Sequence, residues 1–283
     1  MSELDEVLRV AWADERASGT GEVRHGRAEV GPEWGIGHAV GGGVLMALGA
    51  QALTQVLEPG GHHDVLTWSA FFLSAAQPGE VDVHVEVLRR GRSVSTAQVR
   101  LLQAGDGGPV ERVRLTATSG DAAARLEPVH RAPRPAEMPP PEECLPAARD
   151  SSPMARGVAL LDRMDVRVDP ATSGFAVGRP TGRGVIRAWL RMADGREPDI
   201  TMLPFAVDAL MPVSFDLGVP GWAPTHELTG QILGRPAPGW LQVELTTDTV
   251  VGGYYVEDAR VWDSRGRLVA RSRQLAGVRM PGN

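Results

Sequence analysis

The 283-residue chain contains no lysine: all 29 of its basic residues are arginine, against 35 Asp and Glu, for a formal net charge of −6. Without an ε-amine no lysine Schiff base can form. A Walker-type phosphate loop, whose glycine turn must deliver an ammonium to the phosphates, is excluded as well. Cysteine is nearly as scarce. Cys144 is the only one, which forbids an internal disulfide and any multi-cysteine zinc or iron–sulfur site. No stretch reaches the roughly 20 continuous apolar residues that cross a membrane; the most apolar, 40–57, is rich in Gly and Ala and carries Gln51 and Gln55. Residues 1–15 are acidic and lack the basic and apolar regions of a secretory signal, so a cytoplasmic protein is expected. The acidic balance argues against nucleic acid as a partner. There is no G-x-S-x-G, which disfavours a serine hydrolase of the α/β type.

Two local signals carry little. Gly35-Ile36-Gly37-His38-Ala39-Val40-Gly41 has the wrong glycine spacing for a dinucleotide loop and no clear strand before it. His62-His63-Asp64 follows Pro59-Gly60-Gly61 and reads as an exposed polar loop, not a metal site. No metal and no redox cofactor is expected.

What the chain does have is an internal repeat. At an offset of 160 residues, Pro78-Gly79 matches Pro238-Gly239, and Val81, Val83 and Val85 match Leu241, Val243 and Leu245. Ser95 meets Tyr255 and Leu101 meets Val261 at the same offset. Between the copies, eight prolines fall within 128–153. That density removes backbone donors and fixes φ, so the stretch can be neither helix nor central strand. The expected division is 1–127, a connector 128–153, and 154–283.

In the first copy, apolar residues at 44, 45, 48, 52, 53 and 56 define one face of a helix over Gly42–Val56. Strands are expected at Thr67–Leu73, Val81–Leu88, Ser93–Gln103 and Val110–Thr118. The second copy repeats the pattern, with strands near Asp162–Val168 and Gly184–Leu190, a helix from about Ile200 to Leu210 capped by Asp199, and strands at Glu227–Leu233, Trp240–Thr247, Gly253–Asp263 and Leu268–Val278. The expected fold is α+β, a long antiparallel sheet wrapped around one central helix, occurring twice: a tandem hotdog.

Phe71-Phe72-Leu73 before Pro78-Gly79, Leu88-Arg89-Arg90-Gly91-Arg92-Ser93, and Val269-Ala270-Arg271-Ser272-Arg273-Gln274 stand in an order and spacing that resemble the double-hotdog acyl-CoA thioesterase II family. The resemblance covers the chain apart from the Pro-rich connector. It implies a catalytic Asp late in the second helix, a Thr on the next strand and a Gln on the last. These fall on Asp208, on Thr225 or Thr229, and on Gln274. Regular alternation would put both threonines on one strand face.

The residue types suit the chemistry. Thioester hydrolysis needs a water oriented and deprotonated, and donors where oxyanion charge develops. Asp208 would be the base, Gln274 and a threonine would hold the water, and the glycines at the first helix start, Gly42 and Gly43, would approach the acyl group. Arg89, Arg90 and Arg92 would contact the phosphates of coenzyme A, and Trp222 would line the acyl channel. At the 160 offset the first copy has Leu48 opposite Asp208 and Arg114 opposite Gln274, so one site is expected, not two. The expected partner is acyl-CoA or another acyl thioester, with the oligomeric state left open. A double hotdog that binds an acyl thioester or lipid without turnover is the alternative.

Overall fold

The computed structural model describes residues 2–13, 21, 23–122, 133–150, 155–219, 221 and 223–278. The first half runs α1 (Glu3–Val7), β1 (Ala11–Trp12), β2 (Val23–Val30), a small hairpin of β3 (Gly35–Ile36) and β4 (Ala39–Val40), α2 (Gly42–Leu57), β5 (Asp64–Phe72), β6 (Gly79–Arg89), β7 (Ser95–Gln103) and β8 (Val110–Gly120). The second half runs β9 (Leu145–Pro146), β10 (Met164–Val168), β11 (Val185–Met192), α3 (Leu203–Ala206), β12 (Thr225–Ile232), β13 (Leu241–Thr246), β14 (Val250–Val251), β15 (Tyr254–Trp262) and β16 (Leu268–Gly277).

One antiparallel sheet takes nearly all the strands, in the order β1-β2-β6-β7-β8-β5-β12-β16-β15-β13-β11-β10-β9. Its two halves mirror each other and join through β5 and β12. That junction is self-complementary: Ser69 pairs with Thr229, its own counterpart at the 160 offset, while Thr67 faces Gln231 and Phe71 faces Glu227. The pairing is that of an isologous dimer interface written into one chain, with the pseudo-twofold at Ser69 and Thr229. Gly79 and Gly239, after their matching prolines, both have positive φ, 133° and 106°, so the repeated Pro-Gly marks the same turn in each copy.

Helix α2 is buried on nearly every side, with Val44, Met46, Leu48, Ala52, Leu53 and Leu57 almost inaccessible. Its small residues let the sheet close on it: a side chain at Gly49 would already touch Leu115 at 3.5 Å. The second helix is shorter than the expected Ile200–Leu210. Asp199 does cap it, accepting from the Met202 N–H at 3.0 Å. Pro204, however, has no N–H to return to Ile200, so the first turn closes as a 3-10 helix, Ile200–Met202. Only Leu203–Ala206 is α-helical. Asp208 then donates its N–H to the Phe205 carbonyl at 3.1 Å, and Pro212 disfavours helix at the residue before it.

The described part of the connector, 133–150, crosses the outer face of the second half-sheet. Trp262 Nε1 donates to the Pro133 carbonyl (3.0 Å), Gln242 Nε2 to that of Ala136 (2.7 Å) and Trp189 Nε1 to that of Pro139 (2.9 Å). The chain then adds β9 at the sheet edge against β10, where a proline is tolerated. The 62–64 segment departs from the exposed loop expected there. His62 and Asp64 are buried because each has found partners: His62 Nδ1 lies 2.8 Å from Ser95 Oγ, and Asp64 accepts from Arg235 across the halves and from the Ala122 N–H. Among the described residues, no helix is long and apolar enough to cross a membrane.

Candidate active site

The start of α2 consists of three glycines, Gly41–Gly43, and the structure shows what they accommodate. A Cβ on Gly42 would stand 3.0 Å from Asp208 Oδ2 and 3.0 Å from the Phe72 ring, and one on Gly43 would stand 3.0 Å from the Phe205 carbonyl oxygen. The bare helix terminus thus packs on the Asp208 carboxylate, and the Gly43 N–H donates to it. Unpaired N–H groups and the positive end of the helix dipole favour a carboxylate there. Burial works the other way and outweighs them, pushing Asp208 from 3.8 up to about 7. Asp208 as a residue is only partly buried.

A β-bulge puts the two threonines on opposite faces of the strand. The pairing of β12 with β16 slips between Thr225 and Glu227, which reverses the inward-outward parity of the strand at that point. The expectation that Thr225 and Thr229 share a face therefore fails. Thr225 turns inward, where its hydroxyl donates to Gln274 Oε1 at 2.6 Å. Thr229 faces out on the pseudo-twofold, donating to Glu227 (2.5 Å) and accepting from Ser69 (2.6 Å).

Gln274 continues inward. Its Nε2 donates to Glu257 Oε1 at 2.5 Å, and the other Glu257 oxygen accepts from the Val213 N–H at 2.9 Å. Burial is the main cause that lifts Glu257 from 4.5 to about 7, and the negative charge of Asp208 adds to it. Burial also raises Tyr255 well above its ordinary range, with the charges of Glu257 and Asp208 contributing. Thr225, Gln274 and Glu257 thus form one hydrogen-bonded chain, and the charge of Asp208, which packs on the Gly42–Gly43 helix start, reaches its Glu257 end.

The sequence did not single out Glu257. The signal was there: alternation along β15 turns Tyr255, Glu257, Ala259 and Val261 to the core side, and a carboxylate among them is out of pattern.

The remaining expected residues lie elsewhere. Arg90 Nη2 donates to the Val56 carbonyl near the far end of α2, at 3.4 Å. At 1.5 Å per residue that is about 20 Å from the Gly42 end. Arg89 is on the same β6 end. Arg92 lines a cleft of about 520 Å³ with Gly60, Gly61 and His62. A second cleft of about 430 Å³, lined by Gly252, Gly253 and Tyr254, occupies the offset-related position. Asp208 lines neither. Trp222 falls outside the described residues.

Register corrects the counterpart of Gln274. Eight residues separate the bulge-flanking pair Leu102 and Glu111 in the first copy, against five between Trp262 and Leu268 in the second. The count slips by three, and Ala117, not Arg114, is the equivalent: Ala117 pairs with Trp68 as Gln274 pairs with Leu228. Arg114 faces out and binds Glu111 at 2.6 Å. By the same registers Val65 matches Thr225 and Ala97 matches Glu257. Where the second copy has Thr225, Glu257 and Gln274, the first has Val65, Ala97 and Ala117, all buried.

A helix-wrapped antiparallel sheet duplicated about a pseudo-twofold, with one polar site at the seam, defines a tandem hotdog protein. The family models for the acyl-CoA thioesterase N-terminal and C-terminal domains match residues 30–120 and 141–278, and the chain belongs to this acyl-CoA thioesterase family. An uncharacterized protein of Mycobacterium tuberculosis is 32% identical over 265 residues, covering 88% of this chain and 89% of the relative. A Thermobifida fusca protein provisionally described as a thioesterase II has a crystal structure that superposes with a TM-score of 0.83 at 31% identity, covering 99% of this chain and 98% of that one. A hot dog protein of unknown function from Alicyclobacillus acidocaldarius gives 0.81 at 20% identity, with 99% of each chain covered, a likeness of fold.

Proposed function

We propose that the protein hydrolyses acyl-CoA or a carrier-bound acyl thioester to the free acid and thiol, with Asp208 as general base. The observation that carries this reading is the Asp208 carboxyl, held at about 7 on a glycine-only helix start, with its charge felt by Glu257, the residue that binds Gln274. A base whose pKa lies near the working pH combines a large deprotonated fraction with enough basicity to take a proton from water.

Thr225 spends its proton on Gln274, so its oxygen is left to accept from a water. Gln274 commits one amide hydrogen to Glu257 and has a second for the water or the carbonyl oxygen. In the reaction, Asp208 removes a proton from the water as the water oxygen bonds to the thioester carbon. The carbonyl electron pair moves to oxygen, where N–H groups at the start of α2 receive the charge. Collapse breaks the C–S bond, and Asp208 returns its proton to the departing sulfur. The proton is conserved, and water supplies the new oxygen.

The test is release of free thiol from acyl-CoAs of several chain lengths, read with a thiol reagent. Turnover supports the reading. Saturable binding of the same compounds without turnover refutes it and favours the binding-protein alternative.

A further inference from the structure

We propose that Glu257 is a positioning residue of the site: it fixes the Gln274 amide so that Thr225 and Gln274 present a defined set of hydrogen-bonding groups to the water beside Asp208. The inference rests on the hydrolytic reading above and goes beyond it, because Glu257 need not touch the substrate.

The geometry sets the logic. An ionised carboxylate only accepts hydrogen bonds. Glu257 faces two donors, the Val213 N–H and Gln274 Nε2, and so, once ionised above about pH 7, compels Gln274 to turn its nitrogen toward β15 and its oxygen toward Thr225. That in turn compels the Thr225 hydroxyl to donate to Gln274 and leaves the threonine oxygen as an acceptor. Reversal of the amide would reverse both roles.

The duplicated fold supplies an internal control. The first copy builds the same sheet around its own helix with Ala97 opposite Ala117, where the second has Glu257 opposite Gln274. The hotdog core therefore has no structural need of a carboxylate at this place. A buried carboxylate is costly unless it is well paired. This one is kept only where Gln274, Thr225 and Asp208 are also found. The cost shows in its pKa, pushed up to about 7 by burial, then by the charges of Asp208 and Asp258, against the bonds from Val213 and Gln274. Tyr255, two residues before it on the same strand face, also responds to its charge.

Glu257→Gln removes one acceptor. Whichever end the new amide turns to Val213, it cannot offer an oxygen to both donors, so Gln274 loses its fixed orientation. The experiment measures kcat and KM for butanoyl-CoA and palmitoyl-CoA in wild type, E257Q, Q274A, the E257Q/Q274A double variant and D208N, each checked by thermal melting.

The expected result for E257Q is a fall in kcat of about ten- to hundredfold, the usual effect of removing a group that orients a functional side chain, with KM within about threefold of wild type. The double variant should equal Q274A alone, because Glu257 acts through Gln274. A merely structural role would lower stability without that non-additivity. If E257Q does not fold, Glu257→Asp, which keeps the charge but falls one methylene short, carries the same cycle with a smaller expected loss.

E257Q with wild-type kcat beside an inactive D208N would overturn the role of Glu257 and leave the hydrolytic reading standing. Additive losses in the double variant would also overturn it. A wild-type protein without turnover, or D208N at wild-type rate, would overturn the hydrolytic reading and this inference with it.

Discussion

Replacing Asp208 by Asn keeps the shape of the side chain and removes its charge, and it should make the protein slower and more stable at once. The folded state holds Asp208 at about 7 against an ordinary 3.8, so between those pH values the folded chain retains a proton that the unfolded chain gives up. Stability contributed at this position is therefore greatest below about pH 4, declines as pH rises toward 7, and is flat above. The difference between 3.8 and about 7 corresponds to about 4 kcal/mol. Asn escapes this cost but weakens the bond from the Gly43 N–H, a loss of about 1 kcal/mol. A net gain of about 2–3 kcal/mol at pH 8 should raise Tm by roughly 5–10 °C for a chain of this size, and the gain should vanish near pH 4. Acyl-CoA hydrolysis should fall by about 10²- to 10⁴-fold, the worth of general base help. In the wild type, kcat/KM should rise with pH through about 7 as Asp208 loses its proton. Melting curves and thiol-release kinetics from pH 4 to 8 check both halves. D208N with kcat within about threefold of wild type, or with a lower Tm at pH 8, would refute the reasoning.

The two threonines should separate cleanly. Thr225→Ala should cut kcat by at least about tenfold, whereas Thr229→Ala should leave kcat unchanged and cost about 1 kcal/mol of stability at the pseudo-twofold, read by denaturant titration. Gly42→Ala puts a methyl 3.0 Å from both Asp208 Oδ2 and the Phe72 ring, so kcat should drop by about tenfold with a smaller change in KM, measured by the same thiol assay. Trypsin cleavage in the connector after Arg149 should leave the halves together on size exclusion, because the β5–β12 pairing and the strap bonds to Trp189, Gln242 and Trp262 remain; halves eluting apart would count against a shared core.

Period and punctuation carried most of the fold. The apolar stripe of α2 and the alternating strands after each Pro-Gly turn were legible because burial on one face imposes those patterns, and the offset of 160 implied the pseudo-dimer. The site was legible only in part. Which threonine turns inward depends on a bulge at 225–227, and an extra residue in a strand leaves no mark in composition. The 3-10 start of the second helix turned on the missing N–H of Pro204, a single residue inside a largely apolar stretch. Counting at a constant offset misplaced the counterpart of Gln274, because a hairpin three residues longer in the first copy shifts register without disturbing alternation. The arginine cluster was legible as a run of like charge beside a glycine, but not the bond that Arg90 makes to the Val56 carbonyl, which depends on where the far end of α2 comes to lie.

The most direct test of hydrolysis by an Asp208-activated water is a single turnover in water enriched in the heavy oxygen isotope, with enzyme in excess over acyl-CoA and the free acid examined by mass spectrometry. Direct attack by water places the heavy oxygen in the acid formed in that first turnover. Unlabelled acid would mean that the carboxylate oxygen came from the protein through a covalent acyl-enzyme, and no acid at all would mean that the seam between the halves binds thioesters without cleaving them.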